Sequence, residues 1–376
     1  MKKLLLISLQ VMLLLCTNYV TKSMSKTNNF TIKTYNKKIP KKIPHDTQYI
    51  IGADIGGTNS DFGVFEITNN IPELILSVHY KSKEIASFTS TVKNILSYLK
   101  NTYNITIKNA SFAAAGVVSE DRSSCKVTNL SFYIDAKEII NHTDIKKVAL
   151  SNDFEVIGFG VKLIDKNKLI KINNAKAKER ETQAILGAGT GLGKCIMHWN
   201  KKLKRYFATP TEGGHADFSP QSPVEYELTE YIKKSEKRTS NVRWEDILSG
   251  AGISRLYNFF CYKNINNKKD LDTKEIFLHR DKDNNCLEAY NLFTKTYARC
   301  AKNFALDTLA KGGVYIAGGI AAKHIDIFHQ KTFINEFTNS LKHSTLLKNI
   351  PIYVITDYNV SLYGAAQYMI LEGLIS

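Results

Sequence analysis

The sequence predicts an α/β fold arranged as two lobes with a cleft between them. Three observations carry this expectation. The chain has 376 residues, enough for two domains of ordinary size. Short apolar runs of strand type alternate with stretches of helical spacing. A strand, a glycine turn and a second strand occur twice, around Asp54-Ile55-Gly56-Gly57-Thr58 and around Gly187-Ala188-Gly189-Thr190-Gly191. Two such turns facing one cleft suit a nucleotide held between lobes.

Along the chain, residues 50–67 read as strand, turn and strand, because an apolar run is followed by Gly56-Gly57 and then by alternating apolar positions through Phe65. Residues 85–99 have helical spacing. Residues 110–118, 148–150, 183–186 and 314–316 read as short buried strands, and 226–232 and 247–260 as helices. Residues 289–309 form a long amphipathic pattern, with Leu292, Tyr297, Phe304 and Leu306 set among polar residues; residues 363–374 read as a final helix. The expected organisation is an N-terminal extension over 1–46, a small lobe over 47–163 completed by 355–376, and a large lobe over 164–354.

Composition excludes several classes. A hydrophobic fraction of 43% and a charged fraction of 23% are globular values. The six cysteines are scattered without a CxxC pair, which argues against a zinc site or a disulfide framework and fits a reducing compartment. The net charge of +16 lies largely in lysine-rich stretches such as Lys37-Lys38 with Lys41-Lys42. It is read as solvated surface, since no nucleic-acid-binding motif accompanies it.

The apolar run Leu4–Cys16 after Lys2-Lys3 resembles a signal peptide, but it is short for a membrane span and no A-x-A site follows. Met24 offers an alternative start, and residues 24–46 read as a polar, basic, poorly ordered arm.

Four segments carry chemistry. In Asp54-Ile55-Gly56-Gly57-Thr58-Asn59, paired glycines let a tight turn expose backbone N–H groups to phosphate oxygens, Thr58 adds a hydroxyl, and Asp54 can hold Mg²⁺ or its water shell. The same pattern also describes an ordinary hairpin corner. The segment Gly187–Gly193 is neither a Walker loop nor G-x-G-x-x-G, yet four glycines in seven residues cost backbone entropy that turn duty alone does not require. In Thr211-Glu212-Gly213-Gly214-His215, a carboxylate and an imidazole three apart can converge on a small polar ligand; a satisfied loop histidine is the plainer alternative. Asn152 and Asp153 follow the strand at 148–150, where open α/β sheets place working residues, and Asp153 could accept a hydroxyl proton or merely cap a helix.

Together and in this order, the segments GADIGGTNSDFGVF, VTNLSFYIDA, LSNDFEVIGFG, ILGAGTGLG, TEGGHADFSP, WEDILSGAGISRLY and GGVYIAGGI resemble the bacterial glucokinase family, within the actin–hexokinase (ribonuclease H-like) fold group. The resemblance runs from about Ile50 to the C-terminus. It implies ATP-dependent phosphorylation of the glucose 6-hydroxyl, with ATP and Mg²⁺ as cofactors and Asp153 as general base. It further implies that Asn152, Glu212, His215 and Glu245 grip sugar hydroxyls, with Asn129 in a further sugar-side segment. Asp54, Gly56, Gly57, Thr58 and Asn59 would form one phosphate turn and Gly187, Gly189, Thr190 and Gly191 the other, and Gly318 and Gly319 the adenosine-side turn.

Departures from the family pattern are Ser60-Asp61 after the first turn, Gly116-Val117, and Ala251 where proline is usual. A related repressor and sugar-kinase group follows its Glu-Gly-His segment with a cysteine-rich zinc cluster; here Ala216-Asp217-Phe218 follows, with no cysteine until Cys261. Expected partners are glucose and ATP, without nucleic acid or membrane, and a homodimer is common in the family. ATP use places the expected site of action in the cytoplasm. A kinase for another hexose, or a catalytically silent sugar sensor, remains open on the same residues.

Overall fold

The computed structural model describes residues 21–22, 30–35, 47–265 and 269–373. The chain divides into two compact units, 1–153 with 361–376, and 154–360.

The first unit is built on a mixed sheet. Its strands are β1 (Thr21–Lys22), β2 (Thr31–Thr34), β3 (Gln48–Ile55), β4 (Asn59–Thr68), β5 (Ile71–Lys81), β6 (Asn109–Ala114) and, beyond the small sheet β7 (Gly116–Val118), β8 (Ser124–Val127) and β9 (Tyr133–Asp135), the strand β10 (Lys147–Asn152). The order is β1-β2-β5-β4-β3-β6-β10. Strands β3, β4 and β5 form an antiparallel meander, and β6 and β10 add in parallel on the other side of β3. β3 is buried almost throughout, which explains its continuous apolar run: both faces are covered. On one face Phe88 of the helix Phe88–Tyr103 packs against Phe62 and Phe112, at ring separations of 5.9 and 5.1 Å. On the other the helix Val360–Leu371 comes so close that a side-chain carbon at Gly52 would lie 3.1 Å from the Leu362 carbonyl oxygen.

The arm expected to be poorly ordered is instead a strand where it is described. β2 pairs antiparallel with β5, matching Thr31 with His79 and Ile32 with Val78. Ile32 is buried, and Phe30 rests against Tyr80 at 5.4 Å and Tyr98 at 5.9 Å. Two apolar side chains among polar neighbours suffice to anchor the segment to an otherwise open sheet edge. The signal-like run Leu4–Cys16 lies outside the described residues.

The second unit repeats the wiring. Its strands are β11 (Leu169–Lys171), β12 (Gln183–Ala188), β13 (Leu192–Asn200), β14 (Arg205–Thr211), β15 (Gly313–Ala317) and β16 (Ile352–Ile355), in the order β11-β16-β15-β12-β13-β14. Again three strands, β12 to β14, form an antiparallel meander, and two, β15 and β16, add in parallel beside the first. The looser echo seen in the sequence is therefore a repeated topology. The core of this unit surrounds the helix Asn284–Thr308. There Arg299 is fully buried, bidentate to Glu225 at 2.6 and 3.0 Å, with Glu336 at 3.0 Å on its Nε.

Some element bounds differ from expectation. The run 110–118 is two strands, broken at Ala115. The helix expected from 247 is interrupted, with Trp244–Ile247 separate from Gly250–Lys263, because the Ser249 side chain caps the second by accepting from the Gly252 amide. The helix expected from residue 85 begins at Phe88, capped by Ser87, and the last helix starts at Val360 and ends at Leu371. Among the described residues no helix is long and apolar enough to cross a membrane, and the five cysteines are free and buried.

Candidate active site

In the first unit the predicted residues gather at the carboxyl ends of the parallel strands β3, β6 and β10. Asp54 is the penultimate residue of β3, paired in register with Ala113 of β6, while Asn152 ends β10 opposite Ala114 and Asp153 follows it directly. The turn between β3 and β4 is tightly held. The Gly56 amide donates to the Asn59 carbonyl at 2.9 Å, and the Ser82 amide donates to Thr58 O at 3.1 Å. The Ser82 hydroxyl donates to Gly56 O at 2.6 Å. Thr58 is exposed and the space above Gly57 is nearly open, with the Thr128 carbonyl 3.9 Å from where a side-chain carbon would sit. A rigid turn with an open outer face is what a phosphate requires. Asn129 lies in the adjoining loop, exposed, with a positive φ of 60°.

Asp54 is the most perturbed group of this unit. Loss of solvent around its carboxyl, then the charge of Asp153, push it up to about 7, against a lowering contribution from Ser361. The Ser361 hydroxyl donates to Asp54 Oδ2 at 2.5 Å from the first turn of the helix Val360–Leu371. Two carboxylates that repel each other gain from a cation. The Asp54 carboxylate, with Asp153 close enough to repel it, is an oxygen donor of the hard type that Mg²⁺ takes; among the described residues no group of three or more His, Cys, Asp or Glu could hold a metal ion. Such an ion keeps waters and takes its remaining ligands from substrate phosphates.

In the second unit the glycine turn between β12 and β13 occupies the same topological position as the first. Its amides are partly committed, since Gly189 N donates to Gly191 O at 2.8 Å, while Thr190 is exposed and nothing lies within 4 Å of a side-chain carbon placed at Gly189. The turn at Gly318-Gly319, expected on the adenosine side, is its neighbour on the parallel strand β15. A side-chain carbon at Gly187 would lie 2.4 Å from Ala317 O, and one at Gly318 would lie 2.6 Å from Ala188 O. Gly318 also has φ 92°, a conformation that suits glycine, and Gly319 faces open space.

The polar turn after β14 holds Glu212 and His215. Both are exposed, with Glu212 Oε2 and His215 Nε2 3.7 Å apart. That is too long for a direct hydrogen bond, but a hydroxyl oxygen can reach both. His215 Nδ1 lies 2.9 Å from the Arg243 guanidinium. A guanidinium has only donors, so Nδ1 accepts and the ring proton sits on Nε2, facing Glu212. His215 therefore offers a donor and Glu212 an acceptor, the pair that one sugar hydroxyl needs. Arg243 is in turn fixed by Asp246, whose carboxyl is buried and also bonded to Arg238 at 2.9 Å. Burial opposes ionisation of Asp246, but its bonds from Arg243 prevail and hold it down at about 2. Glu245 accepts from the Leu192 amide at 3.0 Å, so it touches the glycine turn as well.

Sequence reading missed Ser82, Ser361, Arg243 and Asp246. Only Arg243 and Asp246 had a signal within reach, flanking Glu245 in the segment VRWEDI. Ser82 and Ser361 meet their partners across the fold, and no local pattern marks them.

Two sheets that share one wiring over five strands, each with a glycine turn after the first strand of its meander, are the framework of a sugar kinase of the actin/hexokinase type. The model of the family described as Glucokinase matches residues 51–371. The glucokinase of Synechocystis sp. (strain PCC 6803) is 31% identical over 346 residues, covering 84% of this chain and 96% of its own. Among solved structures, a glucokinase from an Antarctic psychrotroph superposes with a TM-score of 0.73 at 24% identity, over 85% of this chain and 98% of that one. The glucokinase of Balamuthia mandrillaris in complex with glucose gives a TM-score of 0.73 at 20% identity, over 85% and 93%. The chain belongs to the glucokinase family.

Proposed function

We propose that this chain transfers the γ-phosphoryl group of ATP to the 6-hydroxyl of glucose, with Asp153 as the general base. The observation that carries the reading is the placement of Asp153 directly after β10, at the carboxyl end of parallel strands, in a chain of the glucokinase family. Asp153 would accept the proton of the 6-hydroxyl as the phosphoryl moves in line. Asn152, Asn129, Glu212, His215 and Glu245 would orient the sugar. Glu212 and His215 suit one hydroxyl, as an acceptor and a donor 3.7 Å apart.

The turn Gly56-Gly57-Thr58-Asn59 and the turn Gly187–Gly191 would cradle phosphate oxygens with backbone amides, and Gly318 and Gly319 would let the nucleoside approach backbone. Asp54 would hold Mg²⁺, which neutralises charge on the β- and γ-phosphate oxygens. Little covalent chemistry is asked of the protein, since phosphoryl transfer depends mainly on positioning and charge stabilisation. ATP is a cytosolic substrate, so we place the reaction in the cytoplasm.

A panel of hexoses with ATP and Mg²⁺, read by coupled detection of the sugar 6-phosphate, tests the substrate. Glucose should give the highest kcat/KM, and turnover of another hexose alone would overturn the glucose assignment. Asp153→Asn keeps the shape but cannot take the proton. It should lose about 10²–10⁴-fold in kcat with glucose affinity nearly intact. A variant within a few-fold of wild type would remove Asp153 from the role of base.

A further inference from the structure

The short helix Trp244–Ile247 is bonded to two turns that the sequence keeps apart. Toward the polar turn, the Trp244 amide donates to Ala216 O at 3.0 Å and the Glu245 amide donates to Gly214 O at 2.9 Å. Arg243, just before the helix, donates to His215 Nδ1 at 2.9 Å. Toward the glycine turn, Glu245 Oε2 accepts from the Leu192 amide at 3.0 Å, and the Gly250 amide donates to Gly189 O at 2.9 Å. The two turns also abut directly. A side-chain carbon at Gly214 would lie 1.9 Å from the Leu192 carbonyl oxygen, and one at Gly191 would lie 2.5 Å from Glu245 Oε2. Both glycines are thus needed for the helix and turns to lock together.

We infer that Glu245 is a positioning residue that couples sugar binding to nucleotide binding, an inference that rests on the proposed glucose and ATP sites. Its two carboxylate oxygens are rigidly related. Oε2 is committed to the amide of the glycine turn, and no hydrogen bond from the protein engages Oε1 among the described residues. A sugar hydroxyl donating to Oε1 fixes the plane of the carboxylate. That fixes the Leu192 amide and the adjoining Thr190-Gly191 backbone, the part of the turn offered to phosphate. Sugar binding thereby removes conformational freedom that the nucleotide would otherwise have to remove, and each ligand raises affinity for the other by the same factor. Through its backbone bond to Gly214, the same residue holds the turn of Glu212 and His215, so both ligands act on one element.

The experiment is a binding cycle by titration calorimetry on the full chain. The dissociation constant of a non-hydrolysable ATP analogue with Mg²⁺ is measured without and with saturating glucose, and that of glucose without and with the analogue. In the wild type the ratio of the two constants should lie between about 5 and 150 and be equal for both ligands. Glu245→Ala removes the carboxylate, and Gly191→Ala pushes it off the turn without deleting any sugar-gripping side chain. In both variants the ratio should fall to about one, whatever happens to the individual affinities. The two changes break the link from opposite sides, so if one fails to fold the other decides. A wild-type ratio of one, or a variant that keeps the wild-type ratio, overturns the coupling. Failure of the wild type to bind glucose or the analogue at all would instead overturn the functional reading on which the coupling rests.

Discussion

At the scale of single residues, the chemistry depends on how neighbours dispose of protons. Arg243 forces the His215 proton onto Nε2, and so makes this histidine a donor on the side that faces Glu212. Arg243→Ala releases that choice. Asp246 stays paired, because Arg238 remains 2.9 Å away. We therefore expect KM for glucose to rise by roughly 5- to 10-fold, the worth of about one hydrogen bond, with a smaller change in kcat. Steady-state kinetics at saturating ATP check this, and an unchanged KM would show that the tautomer does not matter. Asp54 gives a second expectation, read as stability against pH. Its folded carboxyl is raised to about 7, above the ordinary value of about 4. The wild type should therefore lose stability as pH rises through that window, because the unfolded chain ionises there more readily. Asp54→Asn has no such loss. In metal-free buffer its Tm should gain on the wild type between about pH 4 and 7 and hold a constant lead above. A difference independent of pH would contradict it. The sequence motifs singled out Asp54 and His215, but not the neighbours that surround them. Burial and then Asp153 raise the Asp54 carboxyl against Ser361, Arg243 sets the His215 tautomer, and Ser361 reaches Asp54 only when the C-terminal helix docks on the first sheet.

At the scale of elements, periodicity marked β3, β4, β6, β10, β12 and β15 and the longer helices, passed over β5, β13, β14 and β16, and failed where a cap or a burial overrode it. The break between Trp244–Ile247 and Gly250–Lys263 is a capping event at Ser249, visible in outline as Ser249-Gly250 but indistinguishable by apolar spacing from a continuous helix. The helix Asn284–Thr308 teaches the opposite lesson. Its spacing was amphipathic, yet Arg299 and Lys302 point inward, because Glu225 and Glu336 from other helices await them. Nothing local distinguishes an arginine of this kind from one in solvent. Arg299→Ala leaves the Glu225 carboxylate buried without its bidentate partner, and should cost about 3–5 kcal/mol in urea unfolding. A loss below 1 kcal/mol would mean that water or Lys295 compensates. The glycine turns were the most legible elements. Their composition is expensive in backbone entropy, and several of their glycines meet a carbonyl or carboxylate oxygen that a side chain would strike, as Gly187 does at Ala317, Gly191 at Glu245 and Gly214 at Leu192.

At the scale of the whole molecule, the repeated strand–glycine turn–strand pattern announced a repeated topology, and the two sheets share one order over five strands, β5-β4-β3-β6-β10 and β14-β13-β12-β15-β16. What the sequence concealed is the strand β2, which lies outside the shared family region beginning at residue 51. Its polar, lysine-rich surroundings masked two apolar anchors, Phe30 and Ile32. β2 covers the edge of β5, whose backbone would otherwise offer an open row of N–H and C=O groups, and Phe30 packs against the rings of Tyr80 and Tyr98. An uncovered edge of this length invites pairing with another chain. Burying Ile32 alone contributes about 1.5–3 kcal/mol. A chain lacking residues 1–46 should therefore unfold at a lower temperature and show a mass in light scattering that rises with concentration beyond that of the full chain. A chain lacking only residues 1–23 keeps β2 and should match the full protein in both measurements. The comparison separates the edge from everything before it. If the shorter deletion already reproduced the loss, the stabilising segment would lie before β2. If the longer one kept the wild-type Tm and mass, β2 would be dispensable to the sheet it covers.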